Sequence, residues 1–172
     1  MLSISFFMSS MMYFLRPIQT QDDAALAAII RQVSQEYGLA PESGFAVADP
    51  ILDHLSAVYQ APLCQYWVVT DAQGRIFGGG GIAPLQGAPD ILEIQKMYFL
   101  SEIRGHGLAK QILQHAFDFA KNHGVKGIYL ETTACLKEAV HLYEGVGFEY
   151  LEAPLGNTGH SAACEIWMLK PL

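Results

Sequence analysis

The residues best placed to do chemistry form one short run, Ile103-Arg104-Gly105-His106-Gly107-Leu108-Ala109-Lys110, between a strand-like stretch from Ile91 to Phe99 and a helical pattern opening near Gly107. Small residues at Gly105, Gly107 and Ala109 let a backbone close around an anion. The first N–H groups of the following helix have no partner inside it and point out of its positive dipole end. A diphosphate set there meets donors and a favourable field together. Arg104, just before the turn, adds a fixed charge that can grip phosphate in bidentate fashion. Taken alone, Arg104 to Lys110 is a phosphate cradle open to any nucleotide.

Competing motifs fit less well. A Walker loop needs G-x-x-x-x-G-K-[ST], but Lys110 is followed by Gln111. Gly78 to Ala83 matches a permissive G-x-G-x-x-A dinucleotide pattern, yet Pro84 follows and no helical pattern opens there. Those four glycines read as a thin strand that a ligand or another backbone approaches closely. His54, His106, His115, His123, His141 and His160 show no metal-binding pair with a supporting carboxylate, so no metal is expected. Gly159-His160-Ser161-Ala162-Ala163 lacks the last glycine of a serine-hydrolase elbow, and no histidine follows it.

The chain has 172 residues, 51% of them hydrophobic and 16% charged, enough core for one domain. A net charge of −7 without a basic run argues against nucleic acid and suits a cationic substrate. Cys64, Cys135 and Cys164 are odd in number and widely spaced, which reads as small buried hydrophobes in a reduced cytoplasm rather than a disulfide framework. The apolar start, Met1 to Met8, has no basic residue before it and is too short to span a bilayer. Residues 1–12 are therefore read as an extension, with Met8, Met11 and Met12 as alternative starts, and residues 13–172 as the domain.

The elements that must position the cradle follow from periodicity. Tyr13 to Arg16 is strand-like, and Asp22 or Asp23 caps a helix carrying Leu26, Ile29, Ile30 and Val33 that ends near Gly38. Asp49-Pro50 starts a second helix with Ile51, Leu52, Leu55 and Val58 inward. Tyr66 to Thr70 and Ile76 to Ile82 are strands around a turn at Asp71 to Gly74, and Ile91 to Leu100 is the next. A helix to about Asn122 buries Leu108, Ile112, Ala116, Phe117 and Ala120 and stops at Gly124. Gly127 to Glu131 is a strand, Leu136 to Glu144 a helix, and Phe148 to Leu151 and Glu165 to Leu169 close a mixed sheet.

With that order in place, Arg104-x-x-Gly107-x-Ala109 resembles the acyl-CoA signature of the GNAT superfamily of N-acetyltransferases. Glu93 to Arg104 looks like that family's fourth strand running into its pyrophosphate loop, and Ala139-Val-His-Leu-Tyr143-Glu-Gly-Val-Gly-Phe148 resembles its A-x-x-L-Y-x-x-x-G-F segment. The likeness spans Leu92 to Phe148. It implies a single-domain α/β GNAT-like fold, with a mixed central sheet of about six to seven strands flanked by about four helices.

The resemblance implies that acetyl-CoA is the cosubstrate. Backbone amides of Arg104, Gly105, His106, Gly107, Leu108, Ala109 and Lys110 would hold its diphosphate, and Met97, Tyr98 and Phe99 would pair with the pantetheine arm by strand addition. Tyr143 would protonate the departing thiolate, a strand N–H would stabilise the oxyanion, and Glu93 would take a proton from the substrate ammonium, aided by burial beside Leu92 and Ile94. Glu131 is the second carboxylate to watch. Relatives often carry Asn where this chain has Leu136; Thr132 or Thr133 is the substitute. His160, Ser161 and Cys164 are candidates to line the acceptor pocket. The expected function is direct acetyl transfer to a primary amine: a small molecule above all, with an amino acid or protein N-terminus open. The alternatives are a noncatalytic acyl-CoA sensor or a transferase of a longer acyl group. No nucleic acid or membrane partner is expected; dimerisation through the last strands stays open.

Overall fold

Side chains alternate along a strand, and the second half of this chain's first hairpin uses that alternation sparingly. In the computed structural model, which describes residues 12–39, 47, 49–159 and 162–172, Trp67 and Val69 of β2 (Gln65–Thr70) point into one core, while Tyr66 and Val68 point into another. The partner strand β3 (Ile76–Pro84) opposes them with Gly78 to Gly81. Around this pair lie β1 (Phe14–Pro17), β4 (Ile91–Phe99), β5 (Gly127–Thr132), β6 (Glu149–Tyr150) and β7 (Ile166–Pro171), in the order β1-β2-β3-β4-β5-β7-β6. Among the described residues, only the β4–β5 pair is parallel. The N-terminal extension, apart from Met12, lies outside the described residues.

Helices cover both faces. On one, α1 (Asp23–Glu36) and α2 (Leu55–Val58) bury Leu26, Ile30 and Leu55 with Tyr59, Tyr66 and Val68. On the other, α3 (Leu108–Asn122) buries its whole expected stripe against Leu92, Ile94, Ile128 and Leu130, and α4 (Lys137–Gly145) adds Tyr143 to that core. The mixed α/β architecture, seven strands and four helices among the described residues, is the expected one.

Several local expectations are corrected. Neither Asp22 nor Asp23 caps α1 with its side chain. Buried Asp22 instead takes a two-pronged bond from Arg16 (2.7 and 2.8 Å) and the Gln19 N–H, and Asp23 accepts from the Ser56 N–H and hydroxyl, tying α1 to α2. Asp49-Pro50 does start a helix, but as a 3-10 turn over Pro50–His54 whose Ile51 is exposed. Cys135 is exposed and Cys64 and Cys164 are half-buried, so none is a core residue; all three are free thiols.

The glycine strand is filled by the protein itself. A Cβ on Gly79 would strike the Trp67 carbonyl and sit 2.5 Å from Tyr66 Cε1; one on Gly81 would sit 2.6 Å from both Tyr59 Cε1 and Tyr66. On the opposite face, Gly80 leaves room for Met97 and Ile112. The close approach read from the sequence is made by neighbouring backbone and tyrosine rings.

The feature that shapes the site is a split in the sheet. Between Gly79↔Tyr98 and Gly81↔Gln95, two steps along β3 oppose three along β4, a bulge with Lys96 at φ 50°. β4 pairs with β5 only through Ile91, Leu92 and Glu93. Beyond Glu93 the two strands part, and the β5-facing edge of β4 has no strand partner among the described residues.

The two kinds of glycine should respond oppositely to alanine. Gly79→Ala is expected to destabilise by about 3 kcal/mol because backbone must shift. Gly145→Ala, at an exposed site at the end of α4 with nothing within 4 Å, should stabilise by about 0.5 kcal/mol. Thermal unfolding of both variants checks this; an unaltered Tm for Gly79→Ala would contradict the packing account.

Candidate active site

A cavity of about 650 Å³ fills the split. One end is the cradle. After β4 the chain makes a 3-10 turn over Ser101–Ile103, then Gly105 and Gly107 take φ of 80° and 76°, the left-handed region that suits glycine. Helix α3 starts at Leu108 with no side chain capping it. The Gln111 N–H donates to the Gly107 carbonyl at 3.1 Å, so the first turn's donors ahead of it, at Leu108, Ala109 and Lys110, have no partner inside the helix. A Cβ built on Gly105 or Gly107 meets nothing within 4 Å. These residues fit a diphosphate: open backbone, unspent N–H groups, and a dipole end of the right sign.

Arg104 does not act there as its charge suggests. Its Nε–H donates to the Phe99 carbonyl at 2.9 Å, its guanidinium reaches Glu36 at 2.6 Å and the Tyr37 hydroxyl at 3.3 Å, and it lies 5.3 Å from the Tyr37 ring. These bonds brace the loop to the end of α1. An Arg beside a carboxylate on the adjacent helix pairs with it first. The His106 side chain also turns away: its ring meets Tyr13 edge-on, 5.6 Å between centroids, and Nδ1 lies 3.1 Å from the Ile103 carbonyl. Arg104, Gly105, Gly107, Leu108, Ala109 and Lys110 line the cavity, as do Met97, Tyr98 and Phe99 on the uncovered edge of β4.

At the apex, Glu93 and Tyr143 come to the same cavity. Glu93 is 5% exposed, and its carboxyl is pushed up to about 7, chiefly by burial, with help from Glu131 and against the pull of the Gln95 amide and Lys96. Tyr143 is buried on α4, its ring edge-on to Phe148. Burial, then the neighbouring Tyr98, raises its phenol well above the ordinary range, so it holds its proton. The Tyr143 hydroxyl has no hydrogen bond among the described residues.

Glu131 lines the same cavity, accepting from the Tyr129 hydroxyl (2.7 Å) and Thr158 (2.8 Å). Thr132, Thr133 and Leu136 lie at the opening of α4; Thr133 is committed to Glu165 at 2.9 Å. Cys164 is on the wall, its thiol pushed up to about 12 by burial and nearby carboxylates, whereas His160 and Ser161 lie outside the described residues. No cluster of three or more His, Cys, Asp or Glu suited to a metal occurs among the described residues, and none of their helices is long and apolar enough to cross a membrane.

Sequence reasoning missed three groups. Gln95 donates to Glu93 Oε2 at 2.7 Å, Tyr59 donates to Gln95 at 3.0 Å, and Lys96, its side chain 8% exposed, pairs with Asp49 at 3.0 Å. Gln95 had a signal, the two-residue period that puts it on the face of Glu93. Tyr59 had none, since its reach depends on Gly81 across the sheet.

The sequence matches the Acetyltransferase (GNAT) family over residues 30–148. It is 54% identical over 159 residues to the Uncharacterized N-acetyltransferase YjgM of Escherichia coli (strain K12), covering 92% of this chain and 94% of that one. The acetyltransferase of GNAT family from Staphylococcus aureus Mu50 shares the fold with TM-score 0.78 and 18% identity, over 94% of this chain and 99% of the other. So does the spermidine N-acetyltransferase from Vibrio cholerae in complex with CoA and spermine, with TM-score 0.65 and 20% identity, over 92% and 95%. The split sheet, the glycine cradle at a helix start and the match from α1 to Phe148 agree: the chain belongs to the GNAT family and is an N-acetyltransferase.

Proposed function

We propose that the protein moves an acetyl group from acetyl-CoA directly to a primary amine of a small molecule. The observation that carries this reading is the parting of β4 from β5, which puts the cradle, the uncovered edge of β4, Glu93 and Tyr143 on one cavity. Acetyl-CoA, when bound, supplies a thioester carbonyl open to an amine and a thiol that leaves. The backbone N–H groups from Gly105 to Lys110 hold its diphosphate, and the edge of β4 at Met97, Tyr98 and Phe99 takes its amide-bearing arm as an added strand.

Glu93 takes a proton from the acceptor ammonium. An alkylammonium with a pKa of ~10.4 holds its proton at neutral pH and cannot attack until it is removed. Burial makes Glu93 a far better base than an ordinary carboxylate. An N–H on the edge of β4 steadies the charge that develops on the carbonyl oxygen. Tyr143, kept protonated by burial, gives its proton to the departing sulfur. A net charge of −7 favours a cationic acceptor over an anionic one. The Vibrio cholerae relative's name, a spermidine N-acetyltransferase, points to the same class.

Thiol release from acetyl-CoA across a panel of small primary amines tests the reaction; binding without turnover on any amine would favour a sensor. Calorimetric titration with CoA should show affinity more than tenfold weaker in Gly107→Trp, because the indole fills the cradle and φ of 76° strains any L residue; unchanged affinity refutes the placement. Tyr143→Phe should lower turnover about a hundredfold, the low end for a general acid because a thiolate leaves readily, with CoA affinity nearly unchanged.

For Glu93 the sign follows from its raised carboxyl. The wild-type kcat/KM should rise with pH and level off above about 7, and Glu93→Gln should abolish that limb. The folded chain also keeps this proton between its unfolded value of 4.5 and about 7, so stability from this group is full below 4.5 and falls as pH rises through that window. Glu93→Gln should raise Tm at pH 8 and lose the advantage near pH 4.5. A Tm gain that is equal at both values would show that Glu93 is not perturbed.

A further inference from the structure

One oxygen of Glu93 is already held. Oε2 accepts from the Gln95 side-chain amide at 2.7 Å, and Gln95 Oε1 accepts from the Tyr59 hydroxyl at 3.0 Å. Tyr59 stands just after α2, 6% exposed, and burial lifts its phenol well above its ordinary range, so it remains a donor. A hydroxyl that donates to the amide oxygen turns the amide N–H groups the other way, toward Glu93. Tyr59 reaches this position only because Gly81 has no side chain, and its ring is steadied by Tyr66, 5.0 Å between centroids. Glu93 Oε1 accepts no hydrogen bond among the described residues, and the residue lines the cavity.

We propose that Gln95, oriented by Tyr59, is a positioning residue for Glu93: it fixes the carboxylate in one orientation and leaves Oε1 for the acceptor amine. The same bond favours the charged carboxylate. This role of Gln95 rests on the reading of Glu93 as the base. Burial drives the carboxyl up, and the Gln95 N–H, which favours the charged form, is the foremost influence holding it down. Among the described residues, the other charged and titratable groups that interact with Glu93 are Lys96 on its own strand, Glu131 and Tyr129 on β5, Cys164 before β7, and Tyr59 itself. Lys96 favours charge on Glu93 but is paired with Asp49, and Glu131 opposes it. Among the described residues, only Gln95 bonds directly to the carboxylate.

The test uses the full chain labelled with carbon-13 at the glutamate side-chain carboxyls, the Glu93 resonance being assigned by its loss in Glu93→Gln. No acceptor is required. Gln95→Met keeps the length and removes the donor, so the Glu93 titration midpoint should rise by about one pH unit. Tyr59→Phe should raise it by less, because the amide stays but is free to turn. For any amine that is acetylated, the kcat/KM limb should move by the same amounts. A midpoint that stays put in both variants overturns the proposal; if Gln95→Met fails to fold, Tyr59→Phe decides alone. Should Glu93→Gln keep the wild-type limb in kcat/KM, the assignment of the base is wrong, and the carboxyl titration still judges the hydrogen-bonded chain.

Discussion

Everything at the apex of the cavity depends on β3 having no side chains between Gly78 and Gly81. Four glycines in a strand lose packing and conformational entropy. Here the space they leave is taken by two tyrosine rings on one face and by Met97 and Ile112 on the other. From that position the Tyr66 hydroxyl donates to the Lys96 carbonyl at 2.9 Å, and the Tyr59 hydroxyl reaches Gln95. Lys96 is the residue at φ 50° in the β4 bulge. A non-glycine in that region costs about 1–3 kcal/mol and persists only where its surroundings hold it. The buried Tyr66 bond and the Lys96–Asp49 pair are those surroundings. The glycines thus permit the tyrosines, the tyrosines hold the bulge, and the bulge lies just where β4 has left β5.

The electrostatics of the same corner are a contest with a clear winner. Burying a carboxylate penalises its charge by several kcal/mol, whereas one hydrogen bond to a charged group returns roughly 1.5–3 kcal/mol. One such bond, from Gln95, cannot cancel the burial, and a lysine already paired with Asp49 adds little. Glu93 therefore settles at about 7 and not near 4.5. More donors would draw the carboxyl back toward its ordinary value, and none would leave burial unopposed. The single bond puts it between those limits.

Much of this was legible in the chain. Periodicity located α1 and α3 to within a residue or two, because they bury regular stripes that no glycine or proline interrupts, whereas the second helix came out as a 3-10 turn followed by the short α2. The cradle was legible because its requirement is local: small residues, then a helix start. Glu93 and Tyr143 became candidates through resemblance, and the fold puts both on the cavity. What could not be read was long-range. Asp22 and Asp23 look alike as caps, and only tertiary contact sends one to Arg16 and the other to Ser56. Arg104 carried the right charge for phosphate, yet its nearest carboxylate sits 68 residues away in sequence on α1. The glycine run showed that something approaches closely, but not that it was Tyr59 and Tyr66.

Diverting Arg104 to Glu36 has a consequence for selectivity. With that guanidinium engaged by Glu36 and His106 facing Tyr13, the cradle offers an anion backbone donors and a helix dipole, with Lys110 beside them on the cavity wall. Such a site senses charge and shape, and every diphosphate presents nearly the same of both. On the proposed reading, discrimination among nucleotides comes from the split, where an extended, amide-bearing arm would run along the edge of β4 toward Glu93 and Tyr143. The brace serves that division of labour. By joining the loop after β4 to the end of α1, Arg104 fixes the cradle relative to the helix that forms the other wall. An anion held at one end thereby sets how far its arm extends into the apex.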